Sequence, residues 1–320
     1  MCREIGGYFE LDTYHGKEYY PDAIPLNSGR NAIALLIKAQ AYTKVYVPSF
    51  CCDVVIDGVI KGGAQPAFYA VDENLMPIFP VQLGKSEALL LINYYGQLDD
   101  HIVRQYKEKY NRIILDNTQA FFQKALPGID TVYSCRKFFG VSDGAYLSAD
   151  IVIDKSLEVD RSAERMNFVL GRFEEPASNY YAEASANNEV FTTEPIKYMS
   201  KITHNLLRAL DYSYIAEVRK SNADYLHKKL EKDNCLSYRI TGGDFMYPLL
   251  LKKEIDGAKV RKSLQQKKIY VPCLWPNVLK SEIQESTAYY LANNIIPLPC
   301  DQRYNNDDMQ YIVDILKNLI

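Results

Sequence analysis

The run Ala88-Leu89-Leu90-Leu91-Ile92 has no polar residue and stops abruptly at Asn93-Tyr94-Tyr95-Gly96. Five apolar residues with no alternation suit a strand covered on both faces, and sheets of that kind are mainly parallel. The neighbouring segments repeat the theme. Val45-Tyr46-Val47, Ala67 to Val71, Arg112 to Leu115 and Thr131-Val132-Tyr133 read as strands. Between them lie helical patterns: Asn31 to Ala39, with Ile33, Leu36 and Ile37 on one face; Asp53 to Ile60, closed by Gly62-Gly63; and Asp100 to Lys109. Strand alternating with helix predicts an α/β fold, a large domain whose mostly parallel sheet is sandwiched by helices.

The second half reads differently. Residues 156 to 200 are polar and irregular, and are expected to cross the surface as loop and helix. A long helical pattern runs from Ile202 through Leu206, Leu210, Tyr214, Val218 and Tyr225 to Leu230. Short strands are expected at Leu236 to Ile240, Phe245 to Leu251, Ile269 to Pro272 and Ile295 to Leu298, then a last helix from Asp307 to about Leu319. Together these suggest a large domain over 1–200 and a smaller carboxyl-terminal α/β domain over 201–320.

In open parallel sheets ligands gather at the carboxyl ends of strands, so the residues there carry the chemistry. Asp116 follows Leu115 and opens Asn117-Thr118-Gln119-Ala120. Lys137 follows the strand ending at Tyr133-Ser134, with Arg136 beside it. A carboxylate and a lysine at neighbouring strand ends suit pyridoxal 5'-phosphate, which needs an anion at its ring nitrogen, an amine to carry it and a phosphate cradle. On this reading Asp116 holds the ring nitrogen protonated, Gln119 reaches the phenolic oxygen, and Thr118 lies under the ring. Ser134 bonds the phosphate, while Arg136 attracts it and depresses the lysine's pKa. Ser28-Gly29-Arg30 opens the first helix, where orphan N–H groups and the helix dipole make an anion site. Each residue also has an ordinary structural reading: Ser28 as an N-cap, Asp116 as a turn former, Lys137 as a surface lysine.

Other chemistries lack their residues. The chain has no G-x-G-x-x-G after a strand, no G-x-x-x-x-G-K-[ST] and no G-x-S-x-G. Its seven cysteines are scattered with no C-x-x-C, and its four histidines, at 15, 101, 204 and 227, are not spaced as zinc ligands. A net charge of −3 argues against a general nucleic-acid binder. The start, Met1 to Tyr8, lacks a secretory pattern, and no apolar run reaches the ~20 residues that span a bilayer. A metal-free, reduced, cytoplasmic protein without membrane or nucleic-acid partners is expected.

The order of these segments resembles the DegT/DnrJ/StrS family of PLP-dependent sugar aminotransferases, which have the type I aminotransferase fold. The resemblance runs from Asn27 to the carboxyl end. Asn27-Ser28-Gly29-Arg30-Asn31-Ala32 is similar to the family's Ser-Gly-Thr helix start, and Val47-Pro48-Ser49-Phe50-Cys51-Cys52 to its V-P-[SA]-F-T-[FC] turn. Tyr94-Tyr95-Gly96-Gln97 matches its L-Y-G-Q, Asp116 to Ala120 its D-A-A-Q-A, and Ile296-Pro297-Leu298-Pro299 its L-P-L segment. The resemblance implies Lys137 as the Schiff-base lysine, Asp116 at the pyridine nitrogen, Gln119 near the phenolic oxygen, and Ser28, Gly29 and Ser134 at the phosphate. It implies transfer of an amino group from an amino acid, glutamate expected, to a keto sugar that is nucleotide-linked, in a homodimer with shared active sites. Two alternatives stand beside it: a PLP-dependent sugar dehydratase, against which Lys137 argues because relatives that dehydrate commonly carry histidine in its place, and a catalytically silent sugar-nucleotide binder.

The chain departs from the family at four points. Ser134 lies only three residues before Lys137, and Val141-Ser142-Asp143-Gly144-Ala145 replaces a Gly-Glu-Gly-Gly stretch. Cys52 stands where many members have a ring-stacking aromatic, and a Tyr/Gly-rich segment before Pro21 replaces an amino-terminal helix.

Overall fold

The computed structural model describes residues 5–153 and 157–320. The first four residues of the amino-terminal segment, and Ser156 at the start of the polar middle, lie outside them. Residues 24–148 build an eight-stranded sheet: β1 (Ile24–Leu26), β2 (Lys44–Pro48), β3 (Gln65–Val71), β4 (Pro77–Ile78), β5 (Glu87–Ile92), β6 (Ile113–Asp116), β7 (Asp130–Ser134) and β8 (Ala145–Ser148), in the order β1-β8-β7-β6-β5-β2-β3-β4. The four pairings that join β3, β2, β5, β6 and β7 are all parallel, whereas β8 and β4 run against their neighbours. Leu89, Leu90 and Leu91 of β5 are fully buried, as continuous apolar character in a doubly covered strand requires.

Helices α1 (Gly29–Ala39), α2 (Asp53–Lys61) and α3 (Asp100–Tyr110) connect the parallel strands. The polar middle forms α4 (Asn167–Glu174) and α5 (Tyr181–Thr193), and α5 buries only Asn187 and Phe191. The expected long helix after Ile202 is two helices, α6 (Lys201–Arg208) and α7 (Tyr212–Leu230). Asp211 starts the second by accepting a hydrogen bond from the Tyr214 N–H at 2.9 Å, so the apolar period passes through a break. Beyond it come β9 (Tyr247–Leu250), α8 (Gly257–Gln266), α9 (Val278–Ser281), α10 (Thr287–Asn294), β10 (Ile295–Leu298) and α11 (Asn306–Leu316). β9 and β10 form an antiparallel two-stranded sheet.

Two expected strands are not strands. In Leu236 to Ile240 the backbone is claimed by side chains: Leu236 N–H by Asn234 Oδ1 at 3.0 Å and Arg239 N–H by Gln97 Oε1 at 2.8 Å. Ile269 to Pro272 leaves a left-handed residue, Lys268 at φ 61°, and Ile269 N–H turns back to the Leu264 carbonyl at 3.0 Å. Conversely, β1 and β8 go unread in the sequence because each is short and takes its place only by pairing.

One glycine fixes the path after β7. Gly144 sits at φ 119°, its N–H donates to the Asn27 carbonyl at 2.8 Å, and a Cβ there would lie 3.0 Å from Thr203 Cγ2 and 3.2 Å from Cys135 Cβ. Gly144→Ala is expected to cost about 1–3 kcal/mol, read as a lowered urea midpoint at unchanged slope; an unchanged midpoint would contradict this account.

Candidate active site

The carboxyl ends of β5, β6 and β7 lie side by side, with Asp116 paired to Ile92 on one flank and Val132 on the other. Asp116 is buried, and its carboxylate accepts a hydrogen bond from the Thr118 N–H at 2.9 Å, which bends the chain into a turn. Asn93 braces that turn from β5. Its N–H donates to the Asp116 carbonyl at 3.0 Å, and its side-chain amide donates to Asn117 Oδ1 at 2.9 Å and Gln123 Oε1 at 2.6 Å. Gln119 is buried with its oxygen fixed by the Tyr95 N–H at 2.9 Å. Among the described residues its amide nitrogen has no protein partner.

Tyr95 is the strained member of this group. It is a buried aromatic at φ 51°, ψ 22°, a region bulky side chains avoid. Gln119 holds its N–H, and the Gln97 amide donates to its carbonyl at 3.0 Å. The surroundings over-determine the conformation, which is how such strain persists near functional sites.

Lys137 Nζ donates to Thr118 Oγ1 at 2.9 Å and lies 5.7 Å from the centre of the Phe245 ring. The side chain keeps a solvent-accessible face, yet protein crowds the ammonium on its other sides. That crowding strips water from the charged form and lowers the lysine's pKa. Asp116 and Cys52 oppose the shift, and Arg136 adds a smaller push in the same direction. The expected depression is therefore present, but burial causes it before Arg136 does. Lys137 is reachable, and more of it is neutral at a given pH than of an ordinary lysine.

The start of α1 closes the group. Ser28 caps it by accepting from the Asn31 N–H at 3.2 Å. Among the described residues the backbone N–H groups of Gly29 and Arg30 have no protein partner. A Cβ on Gly29 would touch Thr118 Cγ2 at 3.5 Å, so this helix start abuts the residue that holds Lys137. Ser134 ends β7, buried, just before the turn in which the Phe138 and Phe139 N–H groups both donate to the Cys135 carbonyl.

Both arginine side chains are engaged elsewhere. Arg30 bonds Thr192 at the end of α5 and lies 3.7 Å from Asp57 of α2. Arg136 bonds Asn188 and stacks 4.7 Å from the Phe191 ring centre, also on α5; burial pushes its pKa down to about 10. Their guanidinium groups brace α5, so any part they play in holding an anion comes through the Arg30 backbone or through long-range charge. Cys52 occupies the N-cap of α2 without capping it.

Sequence reading passed over the residues that come from far along the chain. Phe245 faces Lys137, and Trp275 packs on Phe50 with ring centres 4.3 Å apart. Asn277 donates to the Cys51 carbonyl at 2.9 Å, beside Cys52. Arg219 of α7 was the one with a legible signal, since a charge among the buried Ile215, Asn222, Ala223 and Leu226 invites explanation.

No family model and no curated protein matches the sequence. Solved structures do match. A putative sugar aminotransferase, Spr1654 from Streptococcus pneumoniae in its PMP form, aligns with a TM-score of 0.66 at 13% identity over 93% of this chain and 87% of its own. A DegT DnrJ EryC1 StrS aminotransferase from Brucella abortus gives 0.59 at 14% identity over 92% and 85%. The GDP-4-keto-6-deoxy-D-mannose-3-dehydratase of E. coli, with bound hydrated PLP, gives 0.63 at 15% over 92% and 87%. With its mostly parallel eight-stranded sheet flanked by helices and its small carboxyl-terminal sheet, the chain has the fold of the DegT/DnrJ/EryC1/StrS sugar aminotransferases.

Proposed function

We propose that the protein is a pyridoxal-phosphate-dependent aminotransferase that moves an amino group from an amino acid, with glutamate the expected donor, to a nucleotide-linked keto sugar for surface polysaccharide or glycoside synthesis. The observation that carries this reading is the meeting of Lys137, Thr118 and the start of α1 beside Asp116. The residues fit the cofactor. The unpartnered N–H groups of Gly29 and Arg30, with Ser28 and Ser134, suit its phosphate; Asp116 suits its ring nitrogen; the free amide nitrogen of Gln119 suits its phenolic oxygen. When bound, it supplies the electron sink for breaking a C–H bond next to nitrogen.

The chain's own residues supply the rest. The Lys137 amine, neutral more often than an ordinary lysine, would take a proton from the donor's α-carbon and deliver it to the cofactor's C4′. Thr118 accepts a hydrogen bond from that amine and so fixes where the proton is taken up. Asp116 keeps negative charge opposite the ring nitrogen. Lys137 also favours amino transfer over dehydration, since relatives that dehydrate commonly lack the lysine. The same reading takes in a division near residue 200, a cytoplasmic location and a homodimer whose second subunit completes each site. Among the described residues no helix is long and apolar enough to cross a membrane.

The test is capture and turnover. Incubated with PLP and reduced with borohydride, the protein is expected to carry the pyridoxyl mass on Lys137. The capture rate should rise with pH and level off with a midpoint below the ~10.4 of an ordinary lysine, because only the free amine attacks and its pKa is lowered. Label spread over surface lysines, or dehydration without amino transfer on every keto sugar offered, would rule the reading out.

A further inference from the structure

Arg219, in the middle of α7, is 2% exposed, and its guanidinium forms no ion pair with a carboxylate among the described residues. Its donors go mainly to backbone. One terminal nitrogen donates to the Asp244 carbonyl at 3.0 Å and the Phe245 carbonyl at 3.3 Å, and the other to the Phe138 carbonyl at 3.1 Å. Nε donates to Gln302 Oε1 at 2.8 Å, and Gln302 returns its amide to the same Phe138 carbonyl at 2.8 Å. The guanidinium also lies 4.6 Å from the centre of the Phe138 ring.

Phe138 is the residue after Lys137, and Phe245 bears the ring that faces the lysine's ammonium. One planar fork therefore grips the carbonyl of the residue after the lysine and the carbonyl of the lysine's aromatic neighbour, 107 positions apart in the chain. We propose that Arg219 is a positioning residue for Lys137, fixing how the lysine is presented to Phe245 by holding the carbonyls of Phe138 and Phe245 together. Burying a charge is costly, and a well-packed apolar residue often serves stability as well or better. What an apolar residue cannot do is bind two strands of backbone in a fixed geometry, as a rigid fork does.

The consequence is chemical. The titratable groups facing Lys137 are Asp116, Cys52 and Arg136, and the apolar wall is Phe245. If the Phe245 segment drifts away, the ammonium gains water on the face that Phe245 covered, the charged form is favoured, and less free amine remains at neutral pH. The importance of that acidity rests on the proposed role of Lys137, but the acidity itself is a property of the chain without cofactor.

The experiment is trace acetylation of the cofactor-free protein with acetic anhydride across pH, with Lys137 and the exposed Lys259 followed in the same digest by mass spectrometry. In the parent, Lys137 should react with a lower midpoint than Lys259. In Arg219→Met the Lys137 midpoint should move up towards that of Lys259, a rise of one unit being about a tenfold loss of labelling at neutral pH. Gln302→Leu, which removes one donor from the Phe138 carbonyl, should shift it less in the same direction. A thermal melt shows which variants are folded, and if Arg219→Met does not fold, Gln302→Leu decides. Folded variants whose Lys137 profiles overlay the parent overturn the proposal. Failure of the parent to capture PLP at Lys137 would instead sink the functional reading and leave this coupling standing.

Discussion

Lys137→Ala is expected to abolish covalent capture of the cofactor and to lower amino transfer by on the order of a thousandfold or more. A positioned acid–base group alone contributes ~10² to 10⁴, and this lysine would serve in attachment as well as proton transfer. The fold should tolerate the change. The side chain has a solvent-accessible face, and the hydrogen bond it gives up is to Thr118, whose own N–H remains tied to Asp116. The measurement is single-turnover transfer from glutamate beside a thermal melt. A variant that melts like the parent and transfers amino groups at the parental rate would remove Lys137 from the mechanism.

Asp116→Asn separates charge from shape. The amide oxygen can still accept from the Thr118 N–H, so the turn is kept while the negative charge is lost. Without the charge that the proposed role sets opposite the ring nitrogen, transfer should fall by about a hundredfold or more, comparable to removing one preorganised electrostatic partner from an active site. The same change acts on Lys137 with a definite sign. Asp116 raises the lysine's pKa against the larger effect of burial, so its removal should lower the Lys137 midpoint further. Capture by PLP would then extend to lower pH even as turnover collapses. Capture and turnover falling together, with the Lys137 midpoint unchanged, would mean that Asp116 only shapes the turn. The shift is opposite to that expected for Arg219→Met, so the electrostatic and positioning effects can be told apart on one lysine.

The inner sheet is written in local residue patterns. Apolar runs such as Ala88 to Ile92 have no exposed face to offer, so they must be covered on both sides, and the helices between them provide that cover. The sequence shows also that Asp116 and Lys137 stand at strand ends, because strand length and position are local properties. It could not read the break at Asp211, since the apolar period runs on through it, nor the short β1 and β8, which exist only through their partners. Nor could it aim the arginines. Arg30 and Arg136 are adjacent in sequence to Ser28-Gly29 and Lys137, yet both side chains turn to α5, where Thr192, Asn188 and Phe191 receive them.

The surroundings of the lysine come from packing between distant segments. Phe245, Arg219 and Gln302 come from segments 82 to 165 positions beyond it and carry no local signal linking them to it. Crowding by protein is the largest influence on the Lys137 pKa, and crowding is a property of packing in three dimensions. Residue type and strand position are written locally in the chain; desolvation and hydrogen-bond direction arise only when distant segments meet.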